Sequence, residues 1–536
     1  NGTFGLKDII LKTQERTREF LDIKKTEQFT VLEPEGGVLE NIWLIPSSKI
    51  SGKTKSFVDY QNDSTANDIK LALREGFKSI EHVKRYTTTG MATDQGKIAN
   101  MHALGIVSEI TNTKLGELGT TTFRPPYSPI TFGALVGRNV GQFFDITRKT
   151  PMHDWHKKNN AKFEDVGQWK RAWYYPSNKE SMYDAVQRES KAARTKAGIL
   201  DASTLGKIDI QGVDASEFLN RVYTNAWNKL AIGKCRYGLM LNDDGMVYDD
   251  GVTTRLDKNH YIMTTTTGGA ATVMGKLEDF LQTEWPELKV YLTSVTDHFG
   301  TISVCGPHSK KILEKITNNI DYSDTNFPHM SFKEGLIDKI KCRVMRISFT
   351  GELSYEINIQ ANYARSVWEK CMEAGKEFGI TPYGTESMHL LRAEKGFIIV
   401  GQETDGTITP VDLQMDWIVS KKKYDFIGKR SLYRSDTIRE DRKHYVGLLT
   451  KNPNEILEEG AQIVAEVKNK PPMNMIGHVT SSYYSPNLDK SIALAVIKNG
   501  KKLKGKKLYV PMPNKTIEVT VSDPVFLDKE GRKLNA

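Results

Sequence analysis

The spacing of hydrophobic and polar residues follows three successive patterns along the chain. The first pattern is helical. Thr65 and Asp68 have the spacing of a capping box, and apolar residues at helical spacing follow them. A second short helix is predicted over residues 80–84. We expect a small, mainly helical interface domain over 57–133, and we interpret residues 1–56 as the remnant of an upstream domain or linker.

Strand and helix patterns alternate over residues 134–435. A strand-like run at 208–210 leads through a glycine-containing turn to a helix with a continuous apolar face, and the same order recurs over 301–316. Two comparable units indicate internal duplication. The segments 343–349 and 353–359 predict a β-hairpin with a short loop. Together these patterns predict an α+β fold with duplicated α/β units.

From about residue 436 the pattern changes to short strands separated by polar turns. The strands are predicted over 444–449, 461–467, 475–481, 492–497, 507–510 and 516–521. In the last of them Ile517, Val519 and Val521 alternate strictly with polar residues. Several short strands at this spacing predict a small C-terminal β-barrel domain over 436–536.

Composition narrows the class of protein. The chain has 536 residues, 38% apolar and 26% charged, which is enough for several folded cores. No apolar run is long enough to span a membrane, and a net charge of +9 over this length gives no reason to expect nucleic acid. The four cysteines lie far apart without a signal peptide before them, which favours free thiols in the cytoplasm. The start at Asn1, without Met, suggests that an upstream part is missing.

Several common sites are absent from the sequence. No GxGxxG follows a strand, and neither a phosphate-binding GxxxxGK[ST] loop nor an HExxH zinc motif occurs. The pair His153 and His156 stands without further ligands, so we expect no metal site. The substrate is therefore expected to be a small molecule handled without a bound metal.

The most unusual segment contains two adjacent carboxylates. A turn over 242–245 joins two predicted strands, and the second strand is predicted to end at Asp249 and Asp250. Adjacent strand residues point to opposite faces, so one carboxylate can face a cavity while the other bonds backbone. The alternative is that both are solvated loop acids.

Segments around these acids resemble, in order, the glycine-cleavage T-protein (aminomethyltransferase) family. They are residues 238–251, 303–309, 348–357, 391–396, 401–403, 425–429, 480–485 and 492–495. The resemblance covers about 185–536 and implies a T-protein-like fold with a tetrahydrofolate site.

A second set of segments resembles the alpha subunits of heterotetrameric sarcosine oxidases. They are residues 58–63, 81–87, 90–97, 123–127, 150–155 and 167–169. This resemblance implies beta, gamma and delta partner subunits, FAD and FMN held mainly by the beta subunit, and NAD only in an N-terminal half absent here. It implies transfer of a one-carbon unit from oxidised sarcosine to tetrahydrofolate. The alternatives are a free-standing folate-dependent aminomethyltransferase or demethylase, and a non-catalytic folate-binding scaffold.

The T-protein resemblance also implies roles for individual residues. Asp250 would be catalytic, orienting the folate N10 amine and relaying its proton. Glu356 would accept hydrogen bonds from the pterin amino and ring N–H groups. Tyr237 would line the site, with a buried core tyrosine as the equal alternative. Arg392 would hold a carboxylate of the glutamate tail or, alternatively, form an ion pair with a neighbouring acid.

Three features depart from the patterns of related proteins. Met388 stands where plain transferases carry an arginine, and Val400 replaces a common tyrosine. Both changes put recognition of the folate tail in doubt. The turn 90–97 is similar to iron–sulfur modules, but residues 57–130 contain no cysteine, which excludes a cluster there.

Overall fold

The computed structural model describes residues 2–22, 41–46, 55–138 and 140–535. The chain divides into two compact units, residues 1–144 and 145–536. Of the predicted upstream remnant, residues 1, 23–40 and 47–54 lie outside the described residues. Among the described residues, no helix is long and apolar enough to cross a membrane.

The first unit is mainly helical. Its elements are α1 (Gly2–Leu21), β1 (Phe57–Asp59), β2 (Ser64–Thr65), α2 (Ala66–Arg74), α3 (Ile80–Thr87), α4 (Asn100–Thr111) and α5 (Phe132–Val136). The capping box is present at the start of α2, where the Thr65 backbone N–H donates to Asp68 at 2.7 Å. Ile69 and Ala72 then bury the apolar face of this helix in a core shared with Ile106 of α4.

The second unit begins with a three-stranded sheet and continues into two larger sheets. Its first elements are β3 (Arg148–Lys149), α6 (His153–Lys158), β4 (Lys162–Val166), β5 (Trp169–Tyr174), α7 (Met182–Thr195), β6 (Ala197–Asp201), β7 (Gly206–Gln211), α8 (Ala215–Val222), β8 (Cys235–Leu241), β9 (Val247–Asp257), β10 (His260–Thr265), α9 (Ala270–Asp279) and β11 (Tyr291–Ser294).

The following elements complete the second large sheet and form the barrel. They are β12 (Phe299–Cys305), α10 (Ser309–Ile316), β13 (Thr317–Asn318), β14 (Ser331–Ile337), β15 (Ile340–Arg346), β16 (Ser354–Gln360), α11 (Ala361–Gly375), β17 (Ile380–Pro382), α12 (Thr385–Glu394), β18 (Lys443–Thr450), β19 (Gln462–Val464), β20 (Met475–Ser485), β21 (Lys490–Lys498), β22 (Lys507–Met512) and β23 (Lys515–Ser522).

Two large sheets carry the middle of the chain. The first has five antiparallel strands in the order β11-β7-β10-β9-β8. The second has seven strands in the order β13-β14-β15-β16-β12-β6-β17, and only its β17–β6 pair is parallel. Helices α8 and α9 cover one face of the first sheet, and α10 and α11 cover one face of the second. Each sheet therefore has one helix-covered face and one face free for other contacts.

Both predicted strand–helix units are present, one in each large sheet. In the first, β7 is followed by α8, and in the second, β12 is followed by α10; both helices have eight residues. A glycine with positive φ ends each strand, Gly212 at 143° and Gly306 at 101°. A Cβ on Gly306 would lie 2.6 Å from the Ala193 carbonyl oxygen, so the turn accepts only glycine.

The predicted hairpin exists, but its loop is longer than expected. Strands β15 and β16 pair antiparallel, with Met345 opposite Glu356, and residues 347–353 connect them. The prediction of a three-residue loop, residues 350–352, is therefore wrong. The physical reason is Arg194, whose guanidinium binds the Thr350 carbonyl oxygen at 2.6 Å and the Glu352 carboxylate at 3.0 Å and draws the loop away from the ladder.

The C-terminal strands form a closed barrel in the order β18-β21-β20-β19-β22-β23. All six predicted strands are present, although β19 ends at Val464, earlier than expected. Ile517, Val519 and Val521 are at most 2% exposed, as their alternation predicts. The predicted α+β fold with a C-terminal barrel is confirmed.

Candidate functional site

The strand register shows which side chains share the inner face of the second sheet. Glu356 of β16 lies opposite Ser303 of β12 and Met345 of β15, and directly opposed strand residues point to the same side. The intervening residues, such as Ile357 and Val344, pack into the helix-covered core. Glu356 therefore points away from α10 and α11.

A side-chain contact joins this inner face to the first sheet. On β9 the residues Asp250, Val252 and Thr254 share one face by alternation. The Thr254 hydroxyl lies 3.7 Å from the Met345 sulfur. Since Met345 is the register neighbour of Glu356, Asp250 and Glu356 belong to the two inner faces that are in contact. Along β9, Asp250 is four residues from Thr254, about 13 Å.

An apolar cluster joins the inner faces of the two sheets. It contains Cys235, Ile262, Met345 and Ile347, with Val252 packed against it. Asp250 shares its face of β9 with Val252, and Glu356 lies opposite Met345 on the second sheet. On its other side Asp250 lies opposite Leu239, which packs with barrel residues such as Leu494. Asp250 thus lies where the first sheet packs against the barrel.

Asp250 and Tyr237, two residues of the predicted site, are hydrogen-bonded to each other. The Tyr237 hydroxyl donates a hydrogen bond of 2.6 Å to the Asp250 carboxylate. Burial raises the pKa of Asp250 to about 7, against the opposing effect of this hydrogen bond. Burial and the neighbouring Asp250 charge also raise the pKa of Tyr237 well above its ordinary value. The pair can hold or release a proton near neutral pH.

One part of the sequence prediction is wrong here. Asp249 and Asp250 are the third and fourth residues of β9, and the strand runs on to Asp257 instead of ending at the acids. The physical reason is that Thr253 and Thr254 pair with both β8 and β10 and so continue the strand beyond the acids. The acids therefore lie inside a sheet, which excludes the alternative of two solvated loop residues.

Asp249 points to the opposite face from Asp250. It is 1% exposed and accepts the Thr266 backbone N–H at 3.4 Å, in line with the expectation that one acid bonds backbone. Its second oxygen has no hydrogen-bond partner among the described residues. Burial raises its pKa to about 6. The two acids are thus separate groups, not a dyad that shares a proton.

Glu356 is a half-buried acceptor without a hydrogen-bond donor among the described residues. Burial raises its pKa to about 7, and the charge of Lys207 opposes that rise. An unpaired carboxylate on this inner face fits a ligand with N–H donors, as a pterin has. The sequence analysis missed Lys207. Its signal was the alternation of polar Lys207 and Asp209 with apolar Ile208 and Ile210 along β7.

Arg392 lies away from the inner faces, in a buried ion-pair network. Its side chain is fully buried and donates to Glu403 at 2.8 Å and to Ser481 at 2.7 Å. It also donates to the Phe397 carbonyl oxygen and to Gln402. This geometry favours the ion-pair alternative over recognition of a folate tail.

The two departures from the transferase pattern lie in different surroundings. Met388 packs beside Tyr383 and Leu391. Val400 lines a cavity of about 680 Å³ together with Glu386, His389 and Tyr483. In the part of the chain that the structure describes, no arginine or lysine lines that cavity to pair with a folate tail carboxylate.

His153 and His156 do not converge on a metal site among the described residues. Both ring nitrogens of His156 are bonded, to Asp201 at 2.9 Å and to the Tyr175 hydroxyl at 2.9 Å. All four cysteines are buried and free. The predicted free thiols are confirmed.

Comparison with known sequence families assigns the class. Residues 152–423 match the N-terminal domain of the glycine cleavage T-protein, and residues 443–528 match its C-terminal barrel domain. Residues 53–138 match the sarcosine oxidase A3 domain. The chain belongs to the glycine cleavage T-protein, or aminomethyltransferase, family.

Individual relatives extend this result. The aminomethyltransferase of Caldanaerobacter subterraneus subsp. tengcongensis is 31% identical over 73% of this chain and 98% of its own length. The sarcosine oxidase subunit alpha of Corynebacterium sp. strain P-1 is 51% identical over 93% of this chain and 52% of its own length. This chain therefore spans about half the length of that relative.

A solved structure has the same fold. The aminomethyltransferase T of the glycine cleavage system from Bartonella henselae matches 71% of this chain and 98% of its own, with a TM-score of 0.62 and 24% identity. This likeness concerns the fold.

Proposed function

We propose that this chain is the folate-binding portion of a sarcosine oxidase alpha subunit. Tetrahydrofolate bound to this chain would receive the one-carbon unit of oxidised sarcosine and become 5,10-methylenetetrahydrofolate. The observation that carries the proposal is the placement of Asp250 and Glu356 on facing inner surfaces of two sheets. The similarity to sarcosine oxidase alpha subunits supports the choice of sarcosine.

The two acids would have different tasks. Glu356 would accept N–H donors from the pterin and fix its orientation. Asp250 would accept the proton that the attacking folate nitrogen loses on forming its bond to the one-carbon unit. Tyr237 would hold the Asp250 carboxylate in place through its 2.6 Å hydrogen bond.

The overall reaction needs groups from other chains. Sarcosine, oxygen and tetrahydrofolate would give glycine, hydrogen peroxide and 5,10-methylenetetrahydrofolate, with two electrons passing from sarcosine to oxygen. FAD and FMN, held mainly by a beta subunit, would carry those electrons, and gamma and delta subunits would complete the complex. NAD would belong to the half of the longer relatives that this chain does not span.

Calorimetric titration of the chain with tetrahydrofolate tests the proposal. We expect binding by the parent protein and at least tenfold weaker binding by Glu356→Gln, because an amide cannot replace two accepting carboxylate oxygens. Glu334→Gln changes an exposed acid on β14 of the same sheet, serves as the control and should bind like the parent. Absence of folate binding by the folded parent protein would refute the proposal.

Methylene transfer separates this proposal from its alternatives. In a complex reconstituted with the flavoprotein subunits, sarcosine should yield methylenetetrahydrofolate, and Asp250→Asn should lower that yield while peroxide still forms. Turnover without any flavoprotein would favour a free-standing aminomethyltransferase or demethylase. Folate binding without transfer would favour a non-catalytic scaffold.

A further inference from the structure

Lys207 is a buried cation that the proposed roles leave without a task. Its neighbours Ile208 and Ile210 pack into the helix-covered core of the first sheet. Lys207 lies opposite Thr264 of β10 and takes the other face. The face that carries Lys207 is therefore the inner face, which looks toward the second sheet.

The Lys207 ammonium group is held in place by neutral partners. It donates to the carbonyl oxygens of Ser203 at 2.9 Å and Leu205 at 3.0 Å, and the residue is 1% exposed. Among the described residues it forms no salt bridge. Its positive charge is fixed in space but is not neutralised by direct contact, so it acts on charged groups nearby.

Three carboxylates stabilise the charged form of Lys207: Asp201, Glu356 and Asp297. Two of them are already paired. Asp201 accepts a hydrogen bond from the ring of His156, and Asp297 pairs with Arg148 at 2.8 Å. Glu356 is the one that has no bonded partner of its own among the described residues.

The other titratable groups that face Glu356 cannot stabilise its charge. They are Tyr383 and Cys235, and the Glu356 charge helps to raise the pKa of each of them, so both stay neutral at pH 7. Ser203, whose carbonyl oxygen accepts from Lys207, also accepts through its hydroxyl from the Thr301 backbone N–H at 3.0 Å. Thr301 belongs to β12, the strand that pairs with Glu356, so the Lys207 charge lies beside this part of the second sheet and favours the Glu356 carboxylate.

We propose that Lys207 is a positioning residue that raises the share of Glu356 in its carboxylate form near neutral pH, so that this group can accept the N–H donors of a bound pterin. The value of this charge for ligand binding rests on the proposed function. The coupling between Lys207 and Glu356 does not, because it exists in the protein without ligand.

Titration of the unliganded protein tests the coupling directly. Glutamate labelled with ¹³C at the carboxyl carbon is followed by NMR across the neutral range, and Glu356→Gln identifies the signal of Glu356. In Lys207→Met the midpoint should rise by about one pH unit, since an opposite charge is removed. Lys207→Arg keeps the charge and should restore a midpoint close to that of the parent protein.

Folate affinity measured against pH provides the functional readout. At pH 7, Lys207→Met should bind tetrahydrofolate about fivefold more weakly than the parent, and the difference should vanish at alkaline pH where Glu356 ionises in both proteins. An equal loss of affinity at every pH, with an unmoved Glu356 midpoint, would show a merely structural role and overturn the inference.

The reciprocal measurement covers the case in which Lys207→Met does not fold. In Glu356→Gln, the pKa of the Lys207 ammonium, followed through its ¹⁵N signal, should fall below the parent value of about 8. An unchanged Lys207 titration would overturn the inference. A shifted titration in a protein that binds no folate would instead leave the coupling intact and refute the proposed function.

Discussion

The hydrogen bond from Tyr237 to Asp250 sets the protonation of the proposed catalytic acid. It favours the charged carboxylate and so opposes the rise in the pKa of Asp250 that burial causes. We predict that Tyr237→Phe raises the pKa of Asp250 from about 7 by about one further unit, because a hydrogen bond to a charged group contributes about 1.5 kcal/mol. Carboxyl NMR of aspartate-labelled protein measures the shift.

The same variant has a kinetic consequence in the reconstituted complex. The acid limb of the pH profile for methylene transfer should move to higher pH, while sarcosine oxidation stays unchanged. Tyr433→Phe, an exposed tyrosine, is the control. If the acid limb stays in place, Asp250 does not titrate in the rate-determining step.

Arg392 and Glu403 form a buried ion pair, and both side chains are fully buried. We predict that Arg392→Met lowers the free energy of unfolding by about 3–5 kcal/mol, because it leaves the Glu403 charge unpaired. Urea denaturation measures the loss. Tetrahydrofolate affinity should be unchanged in the folded fraction, since Arg392 lies outside the proposed site.

A surface pair provides the comparison for Arg392. Arg365 and Glu369 form an exposed pair on α11 at 3.1 Å. Arg365→Met should change the unfolding free energy by less than about 1 kcal/mol. Equal losses in Arg365→Met and Arg392→Met would contradict the argument from burial.

At the scale of elements, the same substitution should have opposite effects at two glycines. Gly306 has a φ of 101° and no room for a Cβ, so Gly306→Ala should destabilise by more than about 1 kcal/mol. Gly275 lies inside α9 with no atom near an added Cβ, so Gly275→Ala should stabilise by about 0.5–1 kcal/mol. Thermal unfolding of both variants measures the difference, and shifts of the same sign would refute this prediction.

The barrel shows how far local pattern determines an element. Ile517, Val519 and Val521 alternate with polar residues, and that period alone assigns them to the core side of β23. The capping box at Thr65 likewise needs only residues within one turn of helix. Both features were predictable because their partners are close in sequence.

Features that depend on distant partners were not predictable. The loop 347–353 follows from Arg194, more than 150 residues earlier in the chain. The length of β9 beyond Asp250 follows from pairing with β10 on one side and β8 on the other. Motif resemblance could point to Asp250 and Glu356. Only the strand register within each sheet, together with the contact between the two sheets, shows that they lie on facing surfaces.

At the scale of the whole second unit, the proposed site depends on three parts of the chain. Tyr237 and Asp250 come from the first sheet, Glu356 comes from the second, and the barrel packs against Leu239 beside Asp250. A helix-covered face on each sheet leaves the inner faces to carry polar groups at a cost in stability. The acids among these groups make the stability of the protein depend on pH.

Glu356, Asp250 and Glu189 each have a pKa of about 7 in the folded chain because burial disfavours their charged forms. Between about pH 4.5 and 7 the folded protein therefore holds protons that the unfolded chain has released, so the contribution of these groups to stability decreases as pH rises. We predict that Glu356→Gln flattens this decrease by up to about 1.4 kcal/mol per pH unit, because the amide does not titrate.

Urea denaturation at a series of pH values measures the difference between the parent and Glu356→Gln. The difference should grow through the window from about pH 4.5 to 7 and become constant above it, since both folded and unfolded carboxyls are then ionised. Glu334→Gln removes an exposed carboxylate and should give a nearly pH-independent difference. If the Glu356→Gln curve runs parallel to that of the parent protein through this window, Glu356 keeps an ordinary pKa. Burial then does not disfavour its charged form, and the pH dependence predicted here is refuted.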